Sequence, residues 1–422
     1  MRIDWRSPAG RGFIMLAVMT ACYGFASNAQ GNIVTNYLKE VLAFSGPEFG
    51  YFTAIREVGG LILILLMALL YRISLQWLTA GALIIMGLGF GLFDVATGFV
   101  NLIPWVLMTS FGLHTILQTQ YSLGLSLTTQ DKSGTVLGRI AAFGQAGTLV
   151  AYVLIYFLFQ FHWLSFKPTF LILGLVSILG AFAIIRFPHL VNGEVREVAP
   201  KRERIVFRRA YKYYYWLNLL DGGRQQIFFS FGLYVLVTRF KFEVPQVSLL
   251  LIVVTFVAMM TYSWIGKFID KQGERRSLSY INILYVIALG GYALSGHWWL
   301  ACFFYLVYGV ISPFSYVGAA VYLRKIAPPE DVSSSLSMGV TLLHATALVV
   351  PVVAGYILNF TGYQIPFYIG CAFALGNVFV TMGLNPVKQR CAARIAMDEA
   401  ALAAAAQQET AEAALLKTGG DI

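Results

Sequence analysis

Charged side chains are scarce in this sequence: only 12% of its 422 residues are Asp, Glu, Lys or Arg. A soluble globular domain carries about 25% of these residues. Hydrophobic residues make up 58% of the chain, and apolar runs of about 20 residues, long enough to cross a bilayer as a helix, recur between Phe13 and Leu384. The short polar and apolar alternation of a membrane β-barrel is missing. The composition therefore excludes an ordinary soluble protein and predicts an all-α, polytopic membrane protein.

Cysteine is also rare, and the motifs of several chemistries are missing. The four cysteines have no paired spacing, so they indicate neither a disulfide framework nor a metal site; they are Cys22, Cys302, Cys371 and Cys391. The sequence contains no phosphate-binding loop of the Walker type, no metal-ligand cluster and no nucleophilic triad. We therefore expect a protein that is not an enzyme, does not hydrolyse ATP, and needs no cofactor and no metal.

Twelve spans can be drawn through the apolar runs, and their ends are defined to within a few residues. They cover residues 12–38, 47–71, 75–95, 103–127, 134–160, 165–187, 211–237, 245–269, 277–295, 299–324, 333–358 and 364–385. An even number of spans places both termini on the same side of the membrane.

The basic residues are distributed unevenly around these spans. Cytoplasmic loops of membrane proteins carry an excess of Lys and Arg. With both termini cytoplasmic, most of the 30 Lys and Arg lie in or beside cytoplasmic segments; the exceptions are Lys39, Lys167, Arg239 and Lys241 outside, and Arg56 and Arg224 within spans. We therefore expect a multi-pass protein of a bacterial inner membrane with cytoplasmic termini. This topology accounts for the formal net charge of +10, so nucleic acid is not expected as a partner.

The two halves of the chain resemble each other at an offset of about 198 to 199 residues. Thr148–Val150 corresponds to Ala347–Val349, Pro47 to Pro245, and Gln145 to His344. Parallel six-helix repeats are a known plan of transporters, which bind substrate between the halves near the midplane. The predicted parts are an N-terminal six-helix bundle (1–188), a basic cytoplasmic linker (189–210), a C-terminal six-helix bundle (211–386) and an Ala-rich cytoplasmic tail (387–422).

The linker is the longest hydrophilic segment between spans. Its basic residues are Arg196, Lys201, Arg202, Arg204, Arg208 and Arg209. They could bind the anionic headgroups of membrane lipids. The alternative, which we favour, is a solvated linker that also sets the topology.

One loop motif carries a resemblance to a family. Residues 266–276 read GKFIDKQGERR, which resembles the motif G-x-x-x-D-[RK]-x-G-x-[RK]-[RK] of the major facilitator superfamily (MFS). The matching residues are Gly266, Asp270, Lys271, Gly273, Arg275 and Arg276. The resemblance implies the MFS fold of two pseudo-symmetric six-helix bundles, and it implies that this loop is a conformational latch. The N-terminal counterpart departs from the motif, with Ala68 in place of the Gly and Arg72 in place of the Asp.

Polar residues at membrane depth are the candidates for the substrate or coupling site. An ionisable side chain near the bilayer centre costs about 2.5 to 3.5 kcal/mol on insertion scales, so it should face a wet cavity or a partner. The candidates are Asn28, Gln30, Arg56, Glu57, His114, Gln118, Gln145, Asp221, Arg224, Gln225 and His344. Asn32 and Asn36 lie nearer the outer end of the first span.

Asp221 and Arg224 are three residues apart, so they share a helix face and can pair. In one interpretation, the pair neutralises itself and fixes the seventh span against a neighbour. In the other, which we favour, Arg224 binds a substrate anion or Asp221 carries a proton. Gly222 and Gly223 between them permit a kink or a close helix approach, and we expect a hinge there.

The other ionisable candidates leave alternatives open. Arg56 and Glu57 are adjacent, so they point about 100° apart on a helix and are not expected to face each other. His114 and His344 suit proton coupling or weak anion binding, although a lone helical His is more often a packing residue. Two further candidates lie in span ten: Pro313 for a hinge and Tyr316 for the cavity wall, with core packing as the alternative for each.

These residues and the resemblance predict a secondary active transporter that moves a small organic solute by alternating access. The mid-depth charges favour an organic anion or a zwitterion, with protons as the driving ion, and we expect a monomer. The alternatives are a proton-antiporting exporter of drugs or metabolites, and a non-transporting membrane scaffold or sensor. Drug–proton antiporters of the superfamily usually carry a proline motif in span five, and residues 138–147 of this span contain no proline.

Overall fold

The computed structural model describes residues 6–70, 72–128, 133–191, 193–195, 206–400 and 403. This part of the chain is almost entirely helical. The helices are α1 (Pro8–Glu40), α2 (Gly46–Leu69), α3 (Leu75–Gly91), α4 (Phe99–Ser126), α5 (Ser133–Gln160), α6 (Phe166–Ile184), α7 (Lys212–Thr238), α8 (Val244–Ala293), α9 (Trp298–Ile326), α10 (Pro329–Thr361) and α11 (Gln364–Met382). Residues 392–400 of the predicted tail are also helical.

Helix α8 is two helical segments joined without a loop. Gly273 has φ 75° and ψ 160°, a conformation that only glycine adopts readily, so the helix direction breaks there. We name residues 244–272 α8a and residues 274–293 α8b. With this break, the segments follow the expected order of twelve spans. Within the described part of the chain, nine helices are long and apolar enough to cross a membrane.

Local sequence determines where several helices begin. The Ser7 hydroxyl accepts a hydrogen bond from the Gly10 amide at 3.0 Å, and Pro8 occupies the first turn of α1. Before α2, Ser45 and Glu48 form a reciprocal capping box, again with a proline in the first turn. These caps supply partners for backbone N–H groups that a helix leaves unsatisfied.

Small residues allow helices to approach closely inside each half. A Cβ atom on Gly24 of α1 would collide with the Gly144 carbonyl of α5, and one on Gly147 would collide with the Ala21 carbonyl. Such contacts favour association of membrane helices because the backbones come within van der Waals contact. They fix α1 against α5 in the N-terminal half.

In this conformation α7 shows no kink at Gly222 and Gly223, and their role as a hinge stays a prediction. Helix α7 is continuous from Lys212 to Thr238, without a kink at the glycines. A Cβ on Gly222 would collide with the Thr346 hydroxyl and lie 2.7 Å from the Leu343 carbonyl of α10, and one on Gly223 would lie 2.8 Å from the Phe373 ring of α11. The two glycines therefore serve close packing. The other expected hinge, Pro313, lies inside α9, which continues as one helix to Ile326.

The two ends of the bundle are distinguished by its contacts. The terminal end contains the start of α1, where Gly12 packs against Leu127 and Phe187 after α4 and α6. The far end contains the α1–α2 and α7–α8 connections. There, Asn36 donates a hydrogen bond to the Phe242 carbonyl at 2.9 Å, which joins the halves.

Helices α2 and α10 form a close contact between the halves towards the far end. A Cβ on Gly355 would lie 2.5 Å from the Gly46 carbonyl oxygen, and a Cβ on Gly50 would collide with the Pro351 carbonyl. Tyr51 of α2 and Tyr356 of α10 pack ring edge to face at 6.1 Å between centroids. This end of the molecule is closed.

The linker contains two features that the sequence did not predict, a hairpin and an ion pair. The linker begins with a short antiparallel hairpin of β1 (Leu190–Val191) and β2 (Glu194–Val195). Residues 196–205, which include Arg196, Lys201, Arg202 and Arg204, lie outside the described residues. Arg208 is an ion-pair partner of Asp331 at the start of α10, at 2.8 Å. At least this basic residue is held by protein.

Candidate functional site

A carboxylate and two imidazoles from three helices meet near the middle of the bundle. Glu57 lies on α2, His114 on α4 and His344 on α10. The Nδ1 atom of His344 is 3.0 Å from Oε2 of Glu57, and Nε2 of His114 is 3.9 Å from the same oxygen. The two imidazole rings pack edge to face at 4.8 Å between centroids. Because His344 belongs to the C-terminal half, this triad connects the two halves.

Ser110 of the N-terminal half ties together the two helices that carry Glu57 and His114. The Ser110 hydroxyl of α4 donates to the Arg56 carbonyl at 2.6 Å and accepts from the Gly59 amide at 3.0 Å, so α4 is tied to α2. The Nδ1 atom of His114 is 2.9 Å from the Ser110 carbonyl. Since a carbonyl oxygen only accepts, Nδ1 carries the proton and Nε2 is directed towards Glu57.

Arg56 completes this cluster, in contrast to the expectation that Arg56 and Glu57 would not face each other. The Nη2 atom of Arg56 lies 3.3 Å from Oε1 of Glu57, because the long Arg side chain bends back along the helix. Glu57 therefore offers Oε1 to Arg56 and Oε2 to the imidazoles. The Arg56 side chain stays 30% exposed, whereas that of Glu57 is 9% exposed.

Gly60 of α2 provides the space for His344. A Cβ at this position would lie 2.6 to 2.7 Å from three atoms of the His344 ring. We expect Gly60→Ala to turn the ring away from Glu57 at a cost of about 1 kcal/mol in stability, the lower end of the range for overpacking, because the displaced atoms belong to the end of a side chain. Substrate uptake should fall while the melting temperature stays near that of the wild type.

Uptake in proteoliposomes and thermal unfolding in detergent measure the two effects of Gly60→Ala. Gly31→Ala is the matched control, since a Cβ on Gly31 has no neighbour within 4 Å. Unchanged uptake in Gly60→Ala would contradict a functional role for the close contact between α2 and His344.

Arg224 occupies a closed site within the C-terminal half, where hydrogen bonds and a ring contact hold its guanidinium. Its Nη2 atom is 2.9 Å from Oδ1 of Asp221, and its Nη1 atom donates to the Tyr308 hydroxyl at 2.5 Å. The guanidinium carbon lies 3.4 Å from the centre of the Tyr285 ring, a cation–π contact. Ser315 accepts a further hydrogen bond at 3.4 Å. Tyr285 is on α8b, and Tyr308 and Ser315 are on α9, so Arg224 connects three segments.

The Asp221–Arg224 pair neutralises itself in this conformation. Arg224 has 0% exposed surface, and Asp221 also accepts a hydrogen bond from Asn377 of α11 at 2.9 Å. A substrate anion could reach the guanidinium only after these contacts open. The geometry thus favours the structural interpretation of the pair over the substrate-binding one.

The remaining candidates lie on α1, α4, α5, α7 and α9. Asn28 of α1 donates to the Thr148 hydroxyl of α5 at 2.9 Å, a contact within the N-terminal half. Gln30 and Gln225 are buried, and Gln118 and Gln145 are half-buried. Tyr316 lies on α9, but its side chain is outside the described part of the structure.

Comparisons with known proteins agree with the fold. The model of the family described as Major Facilitator Superfamily matches residues 215–409. The matched segment, in the C-terminal half of the chain, is therefore similar to this superfamily. No curated protein sequence matches it.

Solved MFS-type structures align with nearly the whole chain. A mutant of the nucleoside transporter NupG superposes with a TM-score of 0.73 at 15% identity, over 88% of this chain and 99% of that one. A bacterial homologue of the human lysosomal transporter Spinster, in an inward-facing and occupied conformation, superposes with a TM-score of 0.68 at 12% identity, over 90% and 98% of the chains. At these identities the likeness shows the fold alone.

The loop motif that resembles the MFS signature lies around the break in α8. Gly273 forms the break, and Lys271, Arg275 and Arg276 are exposed. Gly266 and Asp270 lie in α8a, and the surroundings of both positions are outside the described part of the structure. Between the motif positions, buried Glu274 forms an ion pair with Lys325 of α9 at 2.5 Å. The role of the loop motif as a conformational latch stays a prediction.

Several residues of the two clusters were not among the sequence candidates. They are Gly60, Ser110, Tyr285, Tyr308, Ser315 and Asn377. Asn377 could have been identified from the sequence, since it is an amide in the middle of an apolar span. Tyr, Ser and Gly are common in membrane helices, so the others carry little signal in a single sequence.

Proposed function

We propose that this protein is a secondary active transporter that moves a small organic solute by alternating access, driven by protons. Three features support the proposal: the MFS fold, the cluster of ionisable groups at mid-depth, and the position of that cluster between the halves. The observation that carries it is the contact of Glu57 with His344, since rocking of the halves must break this contact.

The conformation is consistent with one state of such a cycle. The contacts between Gly46 and Gly355, and between Asn36 and Phe242, close the far end. Asn32 of α1 adds a hydrogen bond to Ser248 of α8a at 2.8 Å. If the termini are cytoplasmic, as the basic residues predict, the far end is the outer one, and this state closes the pathway to the outside.

The charges at mid-depth bear on the class of substrate. Arg224 is paired with Asp221 and enclosed, so Arg56, 30% exposed, is the mid-depth arginine that a substrate can reach. An organic anion or a zwitterion could place a carboxylate beside it. A bidentate contact between guanidinium and carboxylate is strong in a dry site. The NupG fold makes nucleosides a further class to include in a substrate screen.

Uptake under an imposed gradient tests the proposal. Substrates are first found by a thermal-shift screen of the purified protein against anionic, zwitterionic and nucleoside metabolites, because a ligand of the native state raises the melting temperature. The stabilising compound should then accumulate in proteoliposomes whose interior is alkaline. Accumulation only with an acidic interior would favour the exporter. No substrate-dependent flux in either direction would favour the scaffold or sensor.

We expect Glu57→Gln to lower gradient-driven uptake by about tenfold or more, which corresponds to at least about 1.4 kcal/mol in the rate-limiting step. The amide removes the charge that holds both Arg56 and His344. Glu399→Gln is the control, since Glu399 is an exposed carboxylate of the helical segment after α11. Equal uptake by wild type and Glu57→Gln would show that the contact between the halves is not part of the transport cycle.

A further inference from the structure

We infer that the triad of Glu57, His114 and His344 is a binding site for a divalent transition metal of the Zn²⁺ type. The ligand atoms are Oε2 of Glu57, Nε2 of His114 and Nδ1 of His344, and all three lie within 4.8 Å of one another. Two imidazoles and one carboxylate form a donor set that zinc sites use, with the fourth position open to water or another ligand.

The two distances from the Glu57 oxygen to the imidazole nitrogens are close to those of a tetrahedral site, and all three ligand atoms lie within 4.8 Å of one another. Zinc bonds of about 2.0 to 2.1 Å place tetrahedral ligands about 3.3 Å apart. The carboxylate oxygen is 3.0 Å from His344 and 3.9 Å from His114. Shifts of less than about 1 Å bring these two separations to the tetrahedral value, and the His344 side chain can make such shifts by rotating at χ1 and χ2.

The groups around the triad orient its ligand atoms for a metal. A ligating His typically donates its other ring N–H to a carbonyl or carboxylate, which fixes the tautomer. His114 does this: its Nδ1 donates to the Ser110 carbonyl at 2.9 Å and leaves Nε2 for the metal. Arg56 contacts Oε1 of Glu57, so Oε2 stays directed at the imidazoles. Ligand and supporting contact are thus both present.

The charge of the site also permits a divalent cation. One carboxylate and two neutral imidazoles reduce the charge of the ion by one unit. Arg56 opposes the cation, but its side chain is 30% exposed and can turn towards water when Glu57 ligates the metal. On binding, the metal replaces the proton shared between His344 Nδ1 and Glu57, which moves to the other ring nitrogen or to solvent.

The position of the site gives metal binding a specific consequence. Glu57 and His114 belong to the N-terminal half and His344 to the C-terminal half, so one ion bonds both halves. Such an ion stabilises the arrangement in which the halves meet at the triad and opposes their separation. A ligand shifts a conformational equilibrium by its difference in affinity for the two states, and only this state assembles all three ligands. The metal should therefore hold the protein in this conformation.

Co²⁺ provides a spectroscopic test on the full-length protein in detergent, after removal of any polyhistidine tag. We expect the intense visible absorption of tetrahedral Co²⁺ to appear, to saturate as a single site, and to be displaced by Zn²⁺. His344→Ala and His114→Ala should each abolish it. His297→Ala is the matched control, because His297 is an exposed histidine before α9. This readout is independent of transport.

Two results would overturn the inference: no tetrahedral Co²⁺ spectrum in the wild type, or a spectrum that persists in His344→Ala. A second measurement distinguishes loss of the metal site from misfolding of a variant. Zn²⁺ should raise the melting temperature of the wild type and of His297→Ala but not that of His344→Asn, and the absence of any Zn²⁺ shift in the wild type would also contradict the site. Failure of gradient-driven uptake with an intact Co²⁺ spectrum would reject the proposed function alone.

Discussion

Arg224→Ala is expected to destabilise the protein by about 3 to 5 kcal/mol, the cost of removing one member of a buried ion pair. The truncation leaves the Asp221 carboxylate buried with Asn377 as its remaining described partner. It also removes the cation from the face of Tyr285 and the donor from the Tyr308 hydroxyl. The change acts on packing between α7, α8b, α9 and α11, so the yield of monodisperse protein and the melting temperature should both fall.

A double variant separates the buried charge from the lost contacts. Asp221→Asn combined with Arg224→Ala should be more stable than Arg224→Ala alone, because no uncompensated charge remains. Arg276→Ala, at an exposed arginine of the loop motif, should unfold like the wild type. If Arg224→Ala keeps the wild-type melting temperature and only loses uptake, Arg224 is a substrate contact and the structural interpretation fails.

Gly355→Leu should force the halves apart at the far end and shift the protein out of this conformation. A Cβ at Gly355 lies 2.5 Å from the Gly46 carbonyl oxygen, and the backbone of α2 cannot turn away as a side chain could. Overpacking costs about 1 to 3 kcal/mol, which corresponds to a shift of about 5- to 150-fold between two states. Because the cost falls between the halves, each bundle should keep its own packing.

Cross-linking across the far end measures this shift. With the four native cysteines replaced, Tyr51→Cys and Tyr356→Cys form a reporter pair, since the two hydroxyl oxygens lie 3.3 Å apart. A short bifunctional thiol reagent should join the pair rapidly in the parent and slowly after Gly355→Leu. Gly81→Leu, at a glycine with no neighbour within 4 Å of its Cβ, should cross-link like the parent. Equal rates in both variants would show that the α2–α10 contact does not control closure.

The local features of the sequence predicted the positions of the helices well, but they predicted the connections between the helices less well. Hydropathy and turn residues placed the spans within a few residues of the observed helices, and the loop motif placed the break in α8 near Gly273. The helix on either side of that glycine extends further than the spans drawn, since a polar, charged stretch can remain helical outside the apolar region. The hairpin after α6 had no comparable signal, because each of its strands has only two residues.

The mid-depth polar residues were found from the sequence, but their partners were not. Asp221 and Arg224 share one helix, so the spacing of three residues was sufficient to predict their contact. The sequence predicts either a hinge or a close helix approach at Gly222 and Gly223, and the structure shows the close approach. Adjacent helical residues point about 100° apart, but the Arg56 side chain is long enough to bend back to the Glu57 carboxylate.

The sequence by itself determined that this is a helical membrane protein with a loop motif that resembles that of the major facilitator superfamily, and which ionisable side chains lie deep in it. Those properties depend on composition and on periodicity within one helix. Only the tertiary structure decided that Glu57 meets His344, 287 residues away, and that Arg224 is enclosed. Such pairings depend on the rotation of each helix about its axis and on the distance between neighbouring helices. Contacts such as Gly60 with His344 and Gly222 with α10 set both. The sequence alone does not show which neighbouring surface a small residue packs against.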